Sequence, residues 1–101
     1  MGSQVGGASV KLIVVGVDAQ GNPTVDFANV DLWSTLGDQC KWVSSNISFQ
    51  INFAAGSPFG ASKFSGTSVA SGALQPGATG AYKYSVQVGS KILDPQISVH
   101  P

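Results

Sequence analysis

The sequence contains neither glutamate nor arginine, and it has few charged residues of any kind. Charged residues make up 10% of the 101 positions, against roughly 25% in typical soluble domains. Nucleic-acid binding requires clustered cations that displace counterions from phosphates. The basic residues here are five lysines spread along a chain of zero net charge. We therefore expect no nucleic-acid partner.

Cysteine and histidine occur once each, as Cys40 and His100. A single cysteine excludes an internal disulfide and leaves the cellular compartment open. General acid–base catalysis requires paired titratable groups, which this composition hardly offers, so we expect no catalytic residue and no enzyme activity. We expect Cys40 to lie buried on the same side of its strand as Trp42, with a raised thiol pKa.

Long apolar runs are also missing. The longest, residues 12–17, is far shorter than the roughly 20 residues of a membrane span and includes a glycine. We therefore expect a soluble protein without a membrane span, and the sequence leaves its cellular location unknown. Residues 1–9 predict a disordered or tag-derived segment, and residues 10–101 predict a single domain.

What the sequence does contain is short β-branched runs separated by turn residues, a pattern typical of an all-β protein. Residues 10–17 predict a strand buried on both faces, followed by a hairpin turn over 18–23. Residues 47–53 and 82–88 alternate between apolar and polar side chains, so each predicts a strand with one side facing the core. Further strands are predicted over residues 24–33, 39–43 and 97–99.

The apolar alternation changes parity between Phe27 and Val30. Val25 and Phe27 are odd-numbered, whereas Val30 and Leu32 are even-numbered. Both sets can face the core only if the strand bulges or bends near Ala28. A strand that crosses from one sheet to another would have this pattern.

Residues 54–80 are rich in glycine, serine and alanine, and we expect one or two short edge strands near Phe64 and Val69, because structureless loops of this length are uncommon. Phe59 and Phe64, together with Lys63, are candidate contact residues that could stack on a sugar or anchor a protein partner. The alternative, which we favour, is that both rings close the open end of the fold. Trp33 has the same two interpretations.

The order of these segments resembles that of the cupredoxins over about residues 24–101. Gly37-Asp38 precedes a strand reading Cys-Lys-Trp-Val-Ser-Ser, and residues 80–88 lead through a loop to a last strand reading Gln-Ile-Ser-Val. The resemblance implies an all-β Greek-key sandwich, cupredoxin-like or immunoglobulin-like, with about 7–8 strands.

The positions at which cupredoxins hold copper carry other residues here. Residues 46–50 lack a histidine, Val86 stands near the family's cysteine, and residues 89–96 contain neither histidine nor methionine. Type 1 copper requires two imidazoles and a thiolate. The oxygens of Asp18 and Asn22 could suit calcium, but a hairpin turn explains them without a metal. We therefore expect no metal and no cofactor.

These observations favour a non-enzymatic β-sandwich module that binds a protein or carbohydrate partner, or serves as a structural domain. The alternative is a copper-binding or other metal-binding redox protein with an atypical ligand set. We expect a monomer or a weak homo-oligomer, since few lysines and prolines guard the strand edges. The first strand or the 54–80 segment should offer the open edge, and the last strand should be paired on one side only.

Overall fold

Residues 9–101, which the structure describes, form eleven short strands and one 3₁₀ turn in this computed structural model. The segment expected over residues 1–9 lies outside the described residues, apart from Ser9. The strands are β1 (Val10–Val17), β2 (Pro23–Val25), β3 (Asn29–Trp33), β4 (Gln39–Val43), β5 (Phe49–Asn52), β6 (Lys63–Gly66), β7 (Ser68–Ala70), β8 (Gly80–Lys83), β9 (Ser85–Val88), β10 (Lys91–Leu93) and β11 (Gln96–His100); the 3₁₀ turn is Ser34–Leu36.

The strands form three sheets whose inward faces share one core, so the expected all-β sandwich is confirmed. The sheet orders are β2-β1-β4-β7, β10-β9-β5-β6 and β3-β11-β8. Most neighbours are antiparallel, but β1 pairs with β4 in parallel, and β3 pairs with β11 in parallel. None of the helical segments described is long and apolar enough to cross a membrane.

Four runs of the chain pass from one sheet to another, and each is split into two strands. The expected bend near Ala28 is confirmed: β2 ends at Val25 beside β1, and β3 begins at Asn29 beside β11. The runs β6–β7 and β8–β9 are split in the same way at Thr67 and Tyr84, and the run β10–β11 is split at residues 94–95. The number of strands therefore exceeds the expected 7–8. The number is higher because the strand pairing is interrupted wherever a run passes between sheets, so that one run counts as two strands.

The core is built around Trp42, whose ring packs against four other aromatic rings at centroid distances between 5.5 and 6.4 Å. Its indole N–H donates to the hydroxyl of Tyr84 at 3.2 Å, which satisfies two buried polar groups together. Among the inward residues expected from alternation, Ile47, Tyr82 and Val88 are only partly buried, whereas the five that we expect to share one core are buried. These five residues are Trp42, Phe49, Ile51, Tyr84 and Val86.

The structure corrects the expectation that β1 is buried on both faces. Its inward residues Ile13 and Val15 lie in the core, but Val10, Leu12 and Val14 are 59%, 50% and 44% exposed. A β-branched run predicts burial on both faces when another layer covers the strand. Among the described residues no element covers this face, so three apolar side chains contact solvent.

Two expectations about strand pairing are also corrected. The last strand, β11, lies between β3 and β8 and is therefore paired on both sides, not on one. β1 is likewise paired on both sides, with β2 and β4. By contrast, the strands expected near Phe64 and Val69 are confirmed as β6 and β7, and each ends its sheet.

Candidate functional site

A groove separates the first half of β1 from β3, on the outward side of the sandwich. At one end the strands are joined: the backbone N–H of Asp26 donates to the carbonyl of Val14 at 3.2 Å, and the N–H of Val14 donates to Asp26 Oδ1 at 2.8 Å. Beyond this point the chain leaves β1, and β3 pairs with β11. The space that opens has a volume of about 480 Å³, and we call it the β1–β3 groove.

Asp38 holds the other end of the groove. Its carboxylate is 1% exposed and accepts the backbone N–H of Ser9 at 3.1 Å and that of Trp33 at 3.0 Å. The start of β1 and the end of β3 are therefore connected through one side chain. Both ends of the groove are fixed by hydrogen bonds, so its width is set by the fold.

The walls of the groove carry exposed apolar side chains next to single charges. Phe27 is 55% exposed and Trp33 is 39% exposed, and Val10 and Leu12 face them from β1. Soluble domains commonly expose single apolar residues, whereas contiguous groups often mark interaction sites. The remaining lining residues are Lys11, Asn29, Val30 and Asp31.

Trp33 is held in place by contacts from two neighbouring strands. The imidazole of His100, on β11, stacks on the indole with a centroid distance of 4.8 Å and an interplanar angle of 28°. The ammonium of Lys11, on β1, lies over the ring at 6.0 Å from its centroid. His100 Nε2 is in turn 3.0 Å from Asp31 Oδ1. These contacts position the indole of Trp33 along one wall of the groove.

The aromatic pair of the 54–80 segment is directed inward. Phe59 is 3% exposed, and its ring lies 6.4 Å from Trp42 and 5.9 Å from Phe53, measured between centroids. Phe64 is partly buried, and its ring lies 5.5 Å from that of Trp42. Of the four candidate contact residues, Lys63 and Trp33 therefore reach the surface, while Phe59 belongs to the core.

Cys40 and Tyr84 are buried groups whose titration is shifted by the core. Desolvation raises the pKa of the Cys40 thiol to about 12, and desolvation likewise raises the pKa of the Tyr84 phenol. A thiol is nucleophilic only as the thiolate. Cys40 therefore behaves as a small apolar residue of the core, as its place in the alternation predicted.

Asp18 organises the turn between β1 and β2. Its Oδ1 accepts the backbone N–H groups of Gln20 and Asn22, each at 2.9 Å. The hydrogen bond from the backbone of Asn22 is the main cause that lowers the pKa of this carboxyl. In the part of the chain that the structure describes, no three His, Cys, Asp or Glu side chains lie close enough to hold a metal ion. Asp18 acts here as a turn residue.

Sequence reasoning missed most of the groove. Val10, Leu12 and Phe27 were assigned to the core, because apolar residues in a strand give no sign of which face is covered. For Asp38 the sequence indicates only that it precedes a strand. Two signals pointed to this surface: the candidate contact residue Trp33, and the parity change near Ala28, where the chain leaves β1.

The fold and this surface define an all-β sandwich domain with an outward apolar groove. Comparison of the sequence with models of known protein families and with curated proteins gives no match. The geometry of the described residues is therefore the basis for any functional assignment.

Proposed function

We propose that this chain is a non-enzymatic β-sandwich module that binds a partner protein in the β1–β3 groove. The observation that carries the proposal is the group of exposed apolar side chains around a groove fixed at both ends. Interfaces are typically built from such aromatic and aliphatic contacts with polar groups at the rim.

The shape and chemistry of the groove favour apolar side chains of a protein segment. Val10, Leu12 and Phe27 offer aliphatic and aromatic surface, and one cation and one anion, Lys11 and Asp31, leave the lining without net charge. A partner segment with large apolar side chains and no strong net charge complements this surface.

A carbohydrate ligand fits the groove less well. Sugar rings bind proteins by stacking on the open face of an aromatic ring. β1 and β11 flank β3 on opposite sides, and the contacts from Lys11 and His100 reach the indole of Trp33 from these two strands. The stacked imidazole of His100 covers one face of the ring and so reduces the aromatic surface on which a sugar could stack.

The state of the reactive groups supports the non-enzymatic part of the proposal. Cys40 is buried with a raised pKa, and Asp18 and Asp38 accept backbone hydrogen bonds that a reaction would have to break. Each of these groups already has a structural role.

The test is selection of peptides from a displayed random library, followed by mapping of the selected peptides on the protein by amide chemical shifts. We expect shifts at β1 and β3, and loss of binding in Leu12→Lys. The matched control is Ile92→Lys, because Ile92 is 58% exposed, comparable with the 50% of Leu12, but lies on β10. Shifts confined to other strands, or binding of oligosaccharides with no peptide selected, would overturn the proposal.

A further inference from the structure

β6 and β7 form one continuous run of chain along the open edge of the sandwich. β6 ends the sheet β10-β9-β5-β6, and β7 ends the sheet β2-β1-β4-β7. The two strands are separated by Thr67 alone. The edge is therefore the segment Lys63–Ala70, which is eight residues long and contains no proline. We call it the β6–β7 edge.

The hydrogen bonds at both ends of this run show which backbone groups point away from the sandwich. The N–H of Phe53 donates to the carbonyl of Ser62 at 2.8 Å, and the N–H of Ser44 donates to the carbonyl of Thr67 at 2.9 Å. Backbone groups in an antiparallel ladder alternate in direction. It follows that the residues directed toward solvent are Lys63, Ser65, Ser68 and Ala70.

Those four residues are all exposed, and among the described residues no strand pairs with the outward side of β6 or β7. Natural edges are usually blocked by prolines or by several charges. Here Lys63 is the single charged side chain between positions 63 and 70, and it stands at one end. The other side chains of the outward set are serine and alanine, which are small enough to allow close approach of another backbone.

We propose that the β6–β7 edge pairs with the same edge of a second copy of this chain, antiparallel about a twofold axis between Gly66 and Thr67. This register places Ser65 opposite Ser68 of the partner subunit, and Lys63 opposite Ala70 of the partner subunit. Each outward residue then meets an outward residue, which is what hydrogen-bonded pairs in an antiparallel ladder require. The contact is isologous and closes at a dimer.

The alternation of backbone groups between inward and outward directions is interrupted at Gly66–Thr67, where two successive residues point inward. This interruption makes the register possible. Gly66 faces β5 and Thr67 faces β4, so the outward positions are arranged symmetrically on the two sides of the break. Gly66 has a φ of 142°, a conformation that L side chains rarely adopt, and it permits the kink. In the dimer the sheet of β6 would continue into β7 of the second copy. The two lysines at position 63 would lie at opposite ends of the new ladder.

The experiment measures the mass of the protein by sedimentation equilibrium from about 10 μM to about 1 mM, a range that covers weak complexes. We expect the mass to rise from 10.3 kDa toward twice that value. In the variant S65K/S68K, lysines would face each other twice across the axis, and we expect the dissociation constant to rise at least about tenfold. In S65K/S68D each lysine would face an aspartate, and association should return.

Two controls separate this contact from other effects. Q20K/T24K adds two lysines at exposed positions of the β1–β2 hairpin, where β2 lies at the opposite end of its sheet from β7, and should leave the dissociation constant unchanged. Leu12→Lys alters the β1–β3 groove and should also leave it unchanged, so failure of the proposed function and failure of this proposal are distinguishable. Amide exchange of the wild type gives a second readout: Ser65 and Ser68 should become protected as the concentration rises.

A mass that stays at 10.3 kDa up to about 1 mM would overturn the proposal. So would association that S65K/S68K leaves intact, or association that S65K/S68D weakens as much as S65K/S68K does. Loss of association in Leu12→Lys would show that the copies meet through the groove instead.

Discussion

At the scale of single residues, Asp38 connects the start of β1 with the end of β3, two strands that are not paired with each other. Carboxylates are rarely buried unless they are well paired. Asp38 meets this condition with two backbone N–H groups, from Ser9 and Trp33, at the end of the β1–β3 groove. One side chain therefore fixes the width of the groove and satisfies donors that the sheets leave open.

Asp38→Ala should lower the free energy of unfolding by about 1–3 kcal/mol, because it leaves two N–H donors without a partner in a poorly solvated site. Urea unfolding at pH 7 measures this loss. Asp94→Ala is the control, since Asp94 is exposed and its removal should change the free energy by less than about 0.5 kcal/mol. Equal effects of the two substitutions would show that Asp38 does not hold this end of the groove.

At the scale of strands, β5 shows how alternation sets the core. Phe49 and Ile51 are buried, whereas Gln50 between them is exposed and lies on the outward face. β5 pairs with β6 and β9, so its inward side chains are surrounded on both sides. A slip of one residue would turn both apolar side chains to solvent.

Phe49→Ala should cost about 3–5 kcal/mol in the free energy of unfolding, as truncation of a buried aromatic ring does. The same substitution at Phe27 is the matched control, because Phe49 is 2% exposed and Phe27 is 55% exposed. We expect Phe27→Ala to cost less than about 1 kcal/mol, as surface substitutions do. Chemical denaturation of both variants compares them directly, and a loss below about 1 kcal/mol for Phe49→Ala would refute the register of β5.

The strand crossings explain how a short chain offers both a groove and an open edge. Where β2 passes into β3, the chain leaves β1 and the groove opens. Where β6 passes into β7, the run ends two sheets at once and its outer side stays unpaired. Both proposed contact surfaces therefore follow from the same feature, a strand shared between two sheets.

At the scale of the whole molecule, stability should fall at alkaline pH because of two buried acids. Burial raises the pKa of Cys40 and of Tyr84 above their ordinary values of 9.0 and 10.0. Below about pH 8 both groups are neutral in the folded and the unfolded chain, so their effect on stability is constant. As the pH rises further, only the unfolded chain ionises, and the folded state loses stability until the folded pKa is reached.

We expect the wild type to lose about 2 kcal/mol more than Cys40→Ala between pH 9 and about pH 10.5, from a slope of about 1.4 kcal/mol per pH unit for the thiol. Guanidinium unfolding at a series of pH values measures the difference. Between pH 7 and pH 8 the two curves should run parallel, which serves as the internal control. Parallel curves up to pH 10.5 would contradict the burial of the thiol.

The sequence by itself determined the class of fold, the inward face of several strands and the bend near Ala28. These follow from local rules: alternation with period two and a change of its parity fix which side chains share a face. Burial of Cys40 beside Trp42 followed from the same rule. The turn formed by Asp18 followed from residue types that favour turns.

Only the tertiary structure decided which faces are covered and which edges are open. Val10 and Leu12 are as apolar as Ile13, and no local pattern tells that the outward face of β1 lacks a covering element. The pairing of β11 on both sides depends on β3, which lies more than 60 positions earlier in the chain. Phe59 similarly turned inward because Trp42, which lies on β4, forms with Phe53 the pocket that its ring fills. Long-range pairing determined these features, because side-chain patterns specify the faces of a strand but not its neighbours.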